Sequence, residues 1–532
     1  MTQQSMNPFL PDSKYEPSNG TIPILPVLII FLGFSIRFFS FHYTHIINPD
    51  GTLYIQQAKA IYYGLNSMVT ACYSYLSVYP IFIVGSFKIF GDWIIAAKTV
   101  SLFFGTLSLI PLYLLIRRFC SEILSCLCLL IFAFNPTLVA VSADTLRDPI
   151  YWFFSLLGLY FFVLHTEKNH KNYLLIFSSV AFILGIWARI EAIVFMVGSS
   201  FFLLITDQRK KLKSLFFFLI FPVIIFLIGI TLFFMLNERS LDLFAIQKIP
   251  ERLLGAIKNY QTLREYLSKL IEQRSMDISP YFFPKVRNLL WLIALGAIVV
   301  QIVRAIFLPF FVIFAVGFIG LKKRINQDHR LIYLAVLCVF ALLTFILQIL
   351  DTWAMVSRFI VLFLFPTVVL IGFGLENIIR YLRAKFKWKD SAVVALLCML
   401  ILSVGLSKNL KHREKDKIVF KEVGEFISSR GSNGFEILVA GSFRRLRLVH
   451  FYANLKYQKA PCFNSDLILK SHDTNSLRTL KQKGLHYFIW DEKNWSENDL
   501  DLIRSRYSKT LTDVRSWNSP CLGKVVLFEV KE

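Results

Sequence analysis

The stretch IINPDGTLYIQQ, residues 46–57, sets a carboxylate directly after the first long apolar run ends. Asn48-Pro49-Asp50-Gly51 is strong β-turn chemistry: proline presets the second position, Asn and Asp bond locally, and glycine tolerates positive φ. Asp50 therefore reads either as a turn residue that caps a helix, or as a carboxylate fixed at a membrane surface to take a proton. Other ionisable residues sit at comparable places. Asp144, Arg147 and Asp148 occur in SADTLRDPIYWFF (142–154), Arg189 and Glu191 in WARIEA (187–192), and Asp351 and Arg358 in DTWAMVSR (351–358). Carboxylates so placed could serve as general bases, and an arginine fork matches the oxygens of a phosphate. Each also has a plainer reading. Asp148-Pro149 suits the first turn of a helix, Arg189 and Glu191 an ion pair inside a tight turn, Arg358 a membrane anchor, and Lys88 a snorkelling side chain.

The elements that must position these residues are membrane spans. The chain of 532 residues is 55% hydrophobic and 16% aromatic, with 53 phenylalanines in repeated apolar runs. Its mean hydropathy is +0.57. Runs of about 17–25 apolar residues are what crossing a bilayer as a helix requires. The net charge of +23 gathers in short clusters between those runs, at Arg117–Arg118, Lys168 with Lys171, Arg209–Lys213, Lys322–Arg324 and Arg380–Lys389. That distribution is a topology signal and not a nucleic-acid surface.

About 11 spans are expected, at 22–41, 93–116, 121–140, 149–165, 172–188, 190–206, 213–236, 305–321, 331–350, 358–379 and 391–407. With the N-terminus cytoplasmic, every basic cluster falls inside, and the acidic and arginine candidates gather on the outer face. Segments 75–91 and 289–304 are read as interfacial, because a crossing at 75–91 would invert every later cluster. The run from Ile22 to Ser40 has no small-residue cleavage site after it and reads as an uncleaved span of a multi-pass inner-membrane protein.

Three regions then face outward: a first loop 42–92, a second large loop 237–288, and residues 409–532. The first holds a helical stretch from Thr52, with Tyr54, Ala58 and Ile61 on one stripe and Gln56, Gln57 and Lys59 largely off it. The second carries one or two surface helices, from apolar residues at Leu253, Leu254, Ile257, Leu263, Leu267, Leu270 and Ile271. The third alternates helix-like and strand-like runs (421–429, 435–441, 477–484, 485–490, 500–507, 524–530) and reads as a small extracytoplasmic α/β domain. The domain division is thus 1–408 and 409–532. Eight cysteines show no metal spacing, and Cys462 and Cys521 are the plausible disulfide pair of an extracytoplasmic domain.

At these residues the chain resembles the GT-C glycosyltransferases that use polyprenyl-phosphate sugars, which include the dolichyl-phosphate-mannose protein mannosyltransferases and the bacterial transferases that decorate lipid A. The matching pieces are PDGTLYIQQAKAIYYG, residues 79–119 with Gly91-Asp92, Lys98, Gly105 and Arg117-Arg118, NPTLVAVSADTLRDPIYWFF, GIWARIEAIVF and SRFIVLFLFPTVVLIGFGLE. The resemblance implies a polytopic GT-C fold and an inverting transfer of a hexose or pentose from a polyprenyl-phosphate donor to an extracytoplasmic lipid A, glycan or protein acceptor. It makes Asp50 the catalytic carboxylate and general base, and Asp144 the second acidic position. Arg189 and Arg358, with Lys88 third, are candidates to balance the leaving phosphate, and Tyr54, Arg147 and Glu191 are further candidates for substrate binding. Two departures stand out. Asp50 is followed by Gly51 where many members have Glu, and residues 78–81 read Val-Tyr-Pro-Ile where the aminoarabinose transferases have Lys-Pro-Pro-Leu. No Asp-x-Asp pair adjoins Asp50, so neither a metal nor a cofactor beyond the donor is implied. The alternative class is a transporter or flippase of an envelope lipid or glycan. Such proteins often carry inverted repeats and glycine- or proline-broken spans in both halves, and the sequence shows neither, which favours the transferase.

Overall fold

The computed structural model describes residues 24–73, 75–167, 171–205, 211–236, 248–272, 281–411, 413–431, 434–443, 445–469 and 484–531. Among these, six helices are long and apolar enough to cross a membrane: Ile24–Tyr43, Trp93–Ile116, Asp148–Thr166, Phe282–Ile306, His329–Thr352 and Asp390–Asn409. Two bent pairs raise the number to eight, Glu122–Phe134 with Pro136–Ser142 (57°) and Ser357–Leu364 with Val368–Phe386 (76°). Asn172–Ala188 and Ile190–Ile205 are shorter apolar helices at two further expected spans. The protein is a polytopic helical membrane protein.

One expected span is corrected. Residues 305–321 do not form a single helix, because Phe282–Ile306 is continuous over 25 residues and ends at Phe307, whose φ is +74°. Pro309 then sits in the first turn of a nine-residue helix, Leu308–Val316, a position that suits a residue with no N–H to give. The segment 289–304, read as interfacial, is therefore the interior of a helix long enough to cross. The charges near its ends, Lys285, Arg287 and Arg304, disguise its length in the sequence.

The chain forms two compact units. The first comprises Met1–Ser40, Ser101–Ala143 and Arg147–Lys411; the second comprises Phe41–Val100, Asp144–Leu146 and His412–Glu532. Residues 41–100 therefore group with the C-terminal region, and not with the remainder of residues 1–408.

In the first unit, the break at Asn135-Pro136 is supported on both sides. Asn135 Oδ1 accepts from the amides of Thr137 (3.0 Å) and Leu138 (3.1 Å), while its Nδ2 donates to the carbonyls of Ala305 and Ile306. The bend frees the Ala133 carbonyl, and the buried Arg37 donates to it and to Gly33 O, each at 2.9 Å. A guanidinium inside a span is tolerated only with such partners. Helix Lys248–Glu272 supplies the surface element expected in the second loop, whose residues 237–247 and 273–280 lie outside the described residues.

In the second unit, α1 is taken as Ile24–Tyr43, which enters it at Phe41, α2 as Pro49–Tyr62 and α3 as Val78–Phe90. α2 has 14 residues and α3 has 13, too short to span at 1.5 Å per residue, as the interfacial reading of 75–91 requires. Gly91 ends α3 in the left-handed conformation (φ +69°), and Asp92 Oδ1 caps the next helix by accepting from Ile95 N at 2.7 Å. The Gly-Asp pair thus turns the chain from one helix into the next.

The C-terminal region is α/β. Four strands, β1 (Val439–Gly441), β2 (Tyr487–Asp491), β3 (Leu511–Ser519) and β4 (Gly523–Val530), form one sheet in the order β1-β2-β4-β3. β1 and β2 are parallel; β4 is antiparallel to both β2 and β3. Helices Ile418–Arg430, Leu446–Ala453 and Glu497–Arg506 accompany it. β3 was not expected. It is a largely exposed edge strand (LTDVRSWNS) with polar residues throughout, which hides it from hydropathy. The run at 477–483 lies outside the described residues.

Candidate functional site

The second unit holds Asp50 and Asp144. Asn48 is the N-cap of α2, and its Oδ1 accepts from the amide of Asp50 at 3.0 Å. Pro49 occupies the first turn, Gly51 N donates to Asn48 O at 2.9 Å, and Thr52 Oγ1 donates to Pro49 O at 2.7 Å. The turn and cap readings of this stretch are thus both present, and they hold Asp50 in the positive end of a helix dipole.

Asp144 reaches the same turn. Its Oδ1 accepts from the amides of Asn48 (2.9 Å) and Thr145 (2.7 Å). Burial raises its pKa above the usual carboxylate range, and the charge of Glu414 adds to the effect. The two amide bonds and the Lys98 ammonium oppose it. Lys98 itself donates to the carbonyls of Phe41 and Thr44, closing the C-terminal end of α1. Arg413 pairs by a backbone bridge with Thr44, and burial lowers its pKa.

The departure at Gly51 has a steric cause. A Cβ built there would lie 1.8 Å from Thr145 Oγ1 and 2.6 Å from Thr145 Cβ. The loop carrying Asp144 packs on the backbone of the Asp50 turn, and only glycine fits.

Four second-unit expectations change with burial, one of them Gln56, read as off the stripe and only 4% exposed. Tyr54 is 5% exposed and sits edge-on to Tyr73 and Tyr79, so it packs the loop core. Gln57 and Lys59, read as off the buried stripe, are both buried. Gln57 Nε2 donates to the carbonyls of Val69, Tyr73 and Tyr75, and Lys59 Nζ donates to those of Asn454, Leu455 and Tyr457. Burial lowers Lys59 to about 8. Lys88 is exposed in the last turn of α3, as a snorkelling lysine would be.

The disulfide also differs. Cys462 joins Cys72, which lies between α2 and α3, and Cys521 is a free thiol beside Ser519 Oγ. Cys521 looked equivalent because both cysteines lie in the C-terminal region. The partner lies 390 residues away in sequence, where no local signal could indicate it.

The first unit gathers a second set of charges. Arg189 pairs with Asp148 Oδ1 through Nη1, and with Glu191 through Nε (3.1 Å) and Nη2 (3.4 Å). Its guanidinium lies over the Phe359 ring at 4.2 Å. Arg358 approaches Asp148 Oδ2 at 4.0 Å. Two guanidinium and two carboxylate groups thus form a set whose formal charges cancel. Side-chain exposure separates the two arginines: 6% for Arg189 against 17% for Arg358. Asp148, read from sequence as a cap, is the hub of this set at 2% side-chain exposure. Arg147 adjoins it in the chain and is 7% exposed. Asp351 is used otherwise: it accepts from Asn259 Nδ2 at both its carbonyl (2.8 Å) and Oδ1 (3.0 Å), docking the helix Lys248–Glu272. Among the described residues no group of three or more His, Cys, Asp or Glu could hold a metal ion.

Comparison with known proteins fits this architecture. Residues 77–234 match the profile of the family described as dolichyl-phosphate-mannose-protein mannosyltransferase. No curated protein matches the chain by sequence. Two crystal structures of ArnT from Cupriavidus metallidurans are similar over 94% of this chain and 97% of theirs. The form bound to undecaprenyl phosphate is 12% identical with a TM-score of 0.55, and the apo form 13% identical with a TM-score of 0.58. The archaeal oligosaccharyltransferase AglB from Archaeoglobus fulgidus, in complex with an inhibitory peptide and a dolichol-phosphate, is 12% identical with a TM-score of 0.53. It covers 94% of this chain and 74% of its own. The fold is that of the GT-C proteins.

Proposed function

We propose that this GT-C-fold membrane protein is a glycosyltransferase that moves a hexosyl or pentosyl group from a polyprenyl-phosphate donor to an extracytoplasmic acceptor. The observation that carries the reading is the Asp50 turn: a carboxylate fixed by its own helix cap directly after α1. The family match and the prenyl-phosphate ligands of the ArnT and AglB structures support the donor class. The Cys72–Cys462 disulfide supports placing the first loop and the C-terminal region in an oxidising, extracytoplasmic compartment, with the N-terminus cytoplasmic.

In the proposed reaction an acceptor hydroxyl oxygen attacks the anomeric carbon from the face opposite the phosphate. The bond from that carbon to the phosphate oxygen breaks, its electron pair leaves with the polyprenyl phosphate, and the configuration inverts. Asp50 takes the hydroxyl proton, a role worth about 10²–10⁴ in rate. Asp144 orients the acceptor or the sugar with the oxygen that does not bind the turn. The charge developing on the phosphate needs fixed positive groups. Arg358, the more accessible arginine, is the stronger candidate for direct contact. Arg189 acts chiefly by holding Asp148, and Lys88 meets the phosphate nearer the headgroup layer. The acceptor is lipid A, another glycan or a protein. Envelope glycan and lipid A composition in a deletion strain tests this reading: loss of one sugar from one of them names the acceptor, and an unchanged profile contradicts it.

A further inference from the structure

The Asp50 turn is gripped from outside its own loop. The amide of Ile47, a residue only 2% exposed, donates to the phenolic oxygen of Tyr452 at 3.2 Å, across 405 residues of sequence. The next amide, of Asn48, donates to Asp144, and the amide of Asp50 donates to Asn48. The amides of Ile47, Asn48 and Asp50 are thus each held by a side-chain oxygen, the first of them from the C-terminal region. Tyr452 is itself 1% exposed and closely seated, since a Cβ at Gly424 would lie 2.5 Å from its own Cβ.

The same C-terminal segment holds the far end of α2. Lys59, in the last turn of α2, donates to the carbonyls of Asn454, Leu455 and Tyr457, just beyond the helix that carries Tyr452. One short segment therefore holds both the chain leading into α2, at Ile47, and the last turn of α2, at Lys59. Cys462 then locks that segment to Cys72. An element held at both ends keeps its axis, and with it the direction of a carboxylate at its first turn.

We propose that Tyr452 is a positioning residue for Asp50, so that the C-terminal region sets the geometry of the catalytic carboxylate. This rests on the assignment of Asp50 as the base. Tyr452 touches no reacting atom. Burial raises its pKa, so its hydroxyl stays neutral and its contribution is to hold a backbone amide in place.

The test uses full-length protein in detergent or liposomes with a lipid-linked sugar donor. Tyr452→Phe removes one oxygen and keeps the ring. It is expected to lower kcat by about tenfold to 10²-fold, the cost of a small misplacement of a reacting group, with the donor KM and the Cys72–Cys462 bond unchanged. Lys59→Met releases the other grip and is expected to shift kcat in the same direction. Wild-type kcat in Tyr452→Phe overturns the proposal. So does a fall in kcat matched by a risen KM and a lowered Tm, which marks general loosening. Asp50→Asn measured in parallel separates the two ideas. If it is inactive while Tyr452→Phe is normal, the base assignment stands and the positioning role fails; if it transfers sugar normally, both fail.

Discussion

The amide of Asn48 donates to Asp144 Oδ1 at 2.9 Å, joining the cap of the Asp50 helix to a loop 96 residues further along the chain. The contact makes the two acidic positions one structural object. Asp144 holds the turn from which Asp50 projects, and Thr145, its neighbour, packs on Gly51.

Gly51 is the most sensitive point of that packing. Gly51→Ala places a methyl 1.8 Å from Thr145 Oγ1, so one of the two loops must move. Overpacking of this kind costs about 1–3 kcal/mol. The variant is expected to lower Tm and transfer activity together, and Thr145→Ala, which removes the nearest atom, is expected to restore part of both. A Gly51→Ala protein with wild-type Tm and activity would show that the loop yields freely.

The disulfide makes a separate prediction. Cys72→Ser or Cys462→Ser is expected to destabilise the protein by about 2–5 kcal/mol, seen as a lowered Tm and as a loss that reductant reproduces in the wild type. Cys521→Ser is expected to change neither. Thiol labelling of the unreduced protein checks the pairing: a tag on Cys462 with Cys521 blocked would contradict it.

Lys59 gives a pH signature. Burial lowers it from 10.5 to about 8, so the folded protein releases this proton near pH 8 and the unfolded chain only near 10.5. Between those values the unfolded state binds more protons, and stability rises with pH by up to about 1.4 kcal/mol per unit. Below about pH 8 both states are protonated and the contribution is flat. Lys59→Met is expected to lack the rise. Melting curves for both proteins from about pH 7 to 10 decide it; parallel curves would contradict the buried lysine's role.

The two arginines of the first unit should fail differently. Arg189→Ala strips Asp148, at 2% side-chain exposure, of its nearest partner. Removing one member of a buried ion pair costs about 3–5 kcal/mol, so a lowered Tm is expected with any loss of activity. Arg358→Ala is expected to leave Tm nearly unchanged and to raise KM for the lipid donor. The reverse pattern would exchange the roles assigned to them.

Much of this was legible because its signals are local. Apolar runs of membrane length, the Asn-Pro-Asp-Gly turn, the Gly91-Asp92 helix boundary and the outer-loop helices all depend on residues within a few positions of each other. The parts that were not legible depend on chain segments that meet only after folding. Lys59 and Gln57 read as solvent-facing because nothing in their neighbourhood announces the carbonyls they bind. Cys462 looked suited to Cys521 because sequence distance was the only guide. Asp148 read as a cap because an Asp before Pro commonly is one, and its role as the partner of Arg189 appears only when the turn at 189–192 comes back to it. Phe282–Ile306 is hidden in the sequence by Arg304 in its last turn and the charged loop before it.

Transfer by the proposed mechanism depends above all on Asp50 as the base. The direct measurement is transfer of sugar from a polyprenyl-phosphate donor by purified Asp50→Asn, with Tm and the Cys72–Cys462 bond checked in the same preparation. A loss of about 10²-fold or more in kcat is expected, with the fold and disulfide intact. Transfer at the wild-type rate would contradict it.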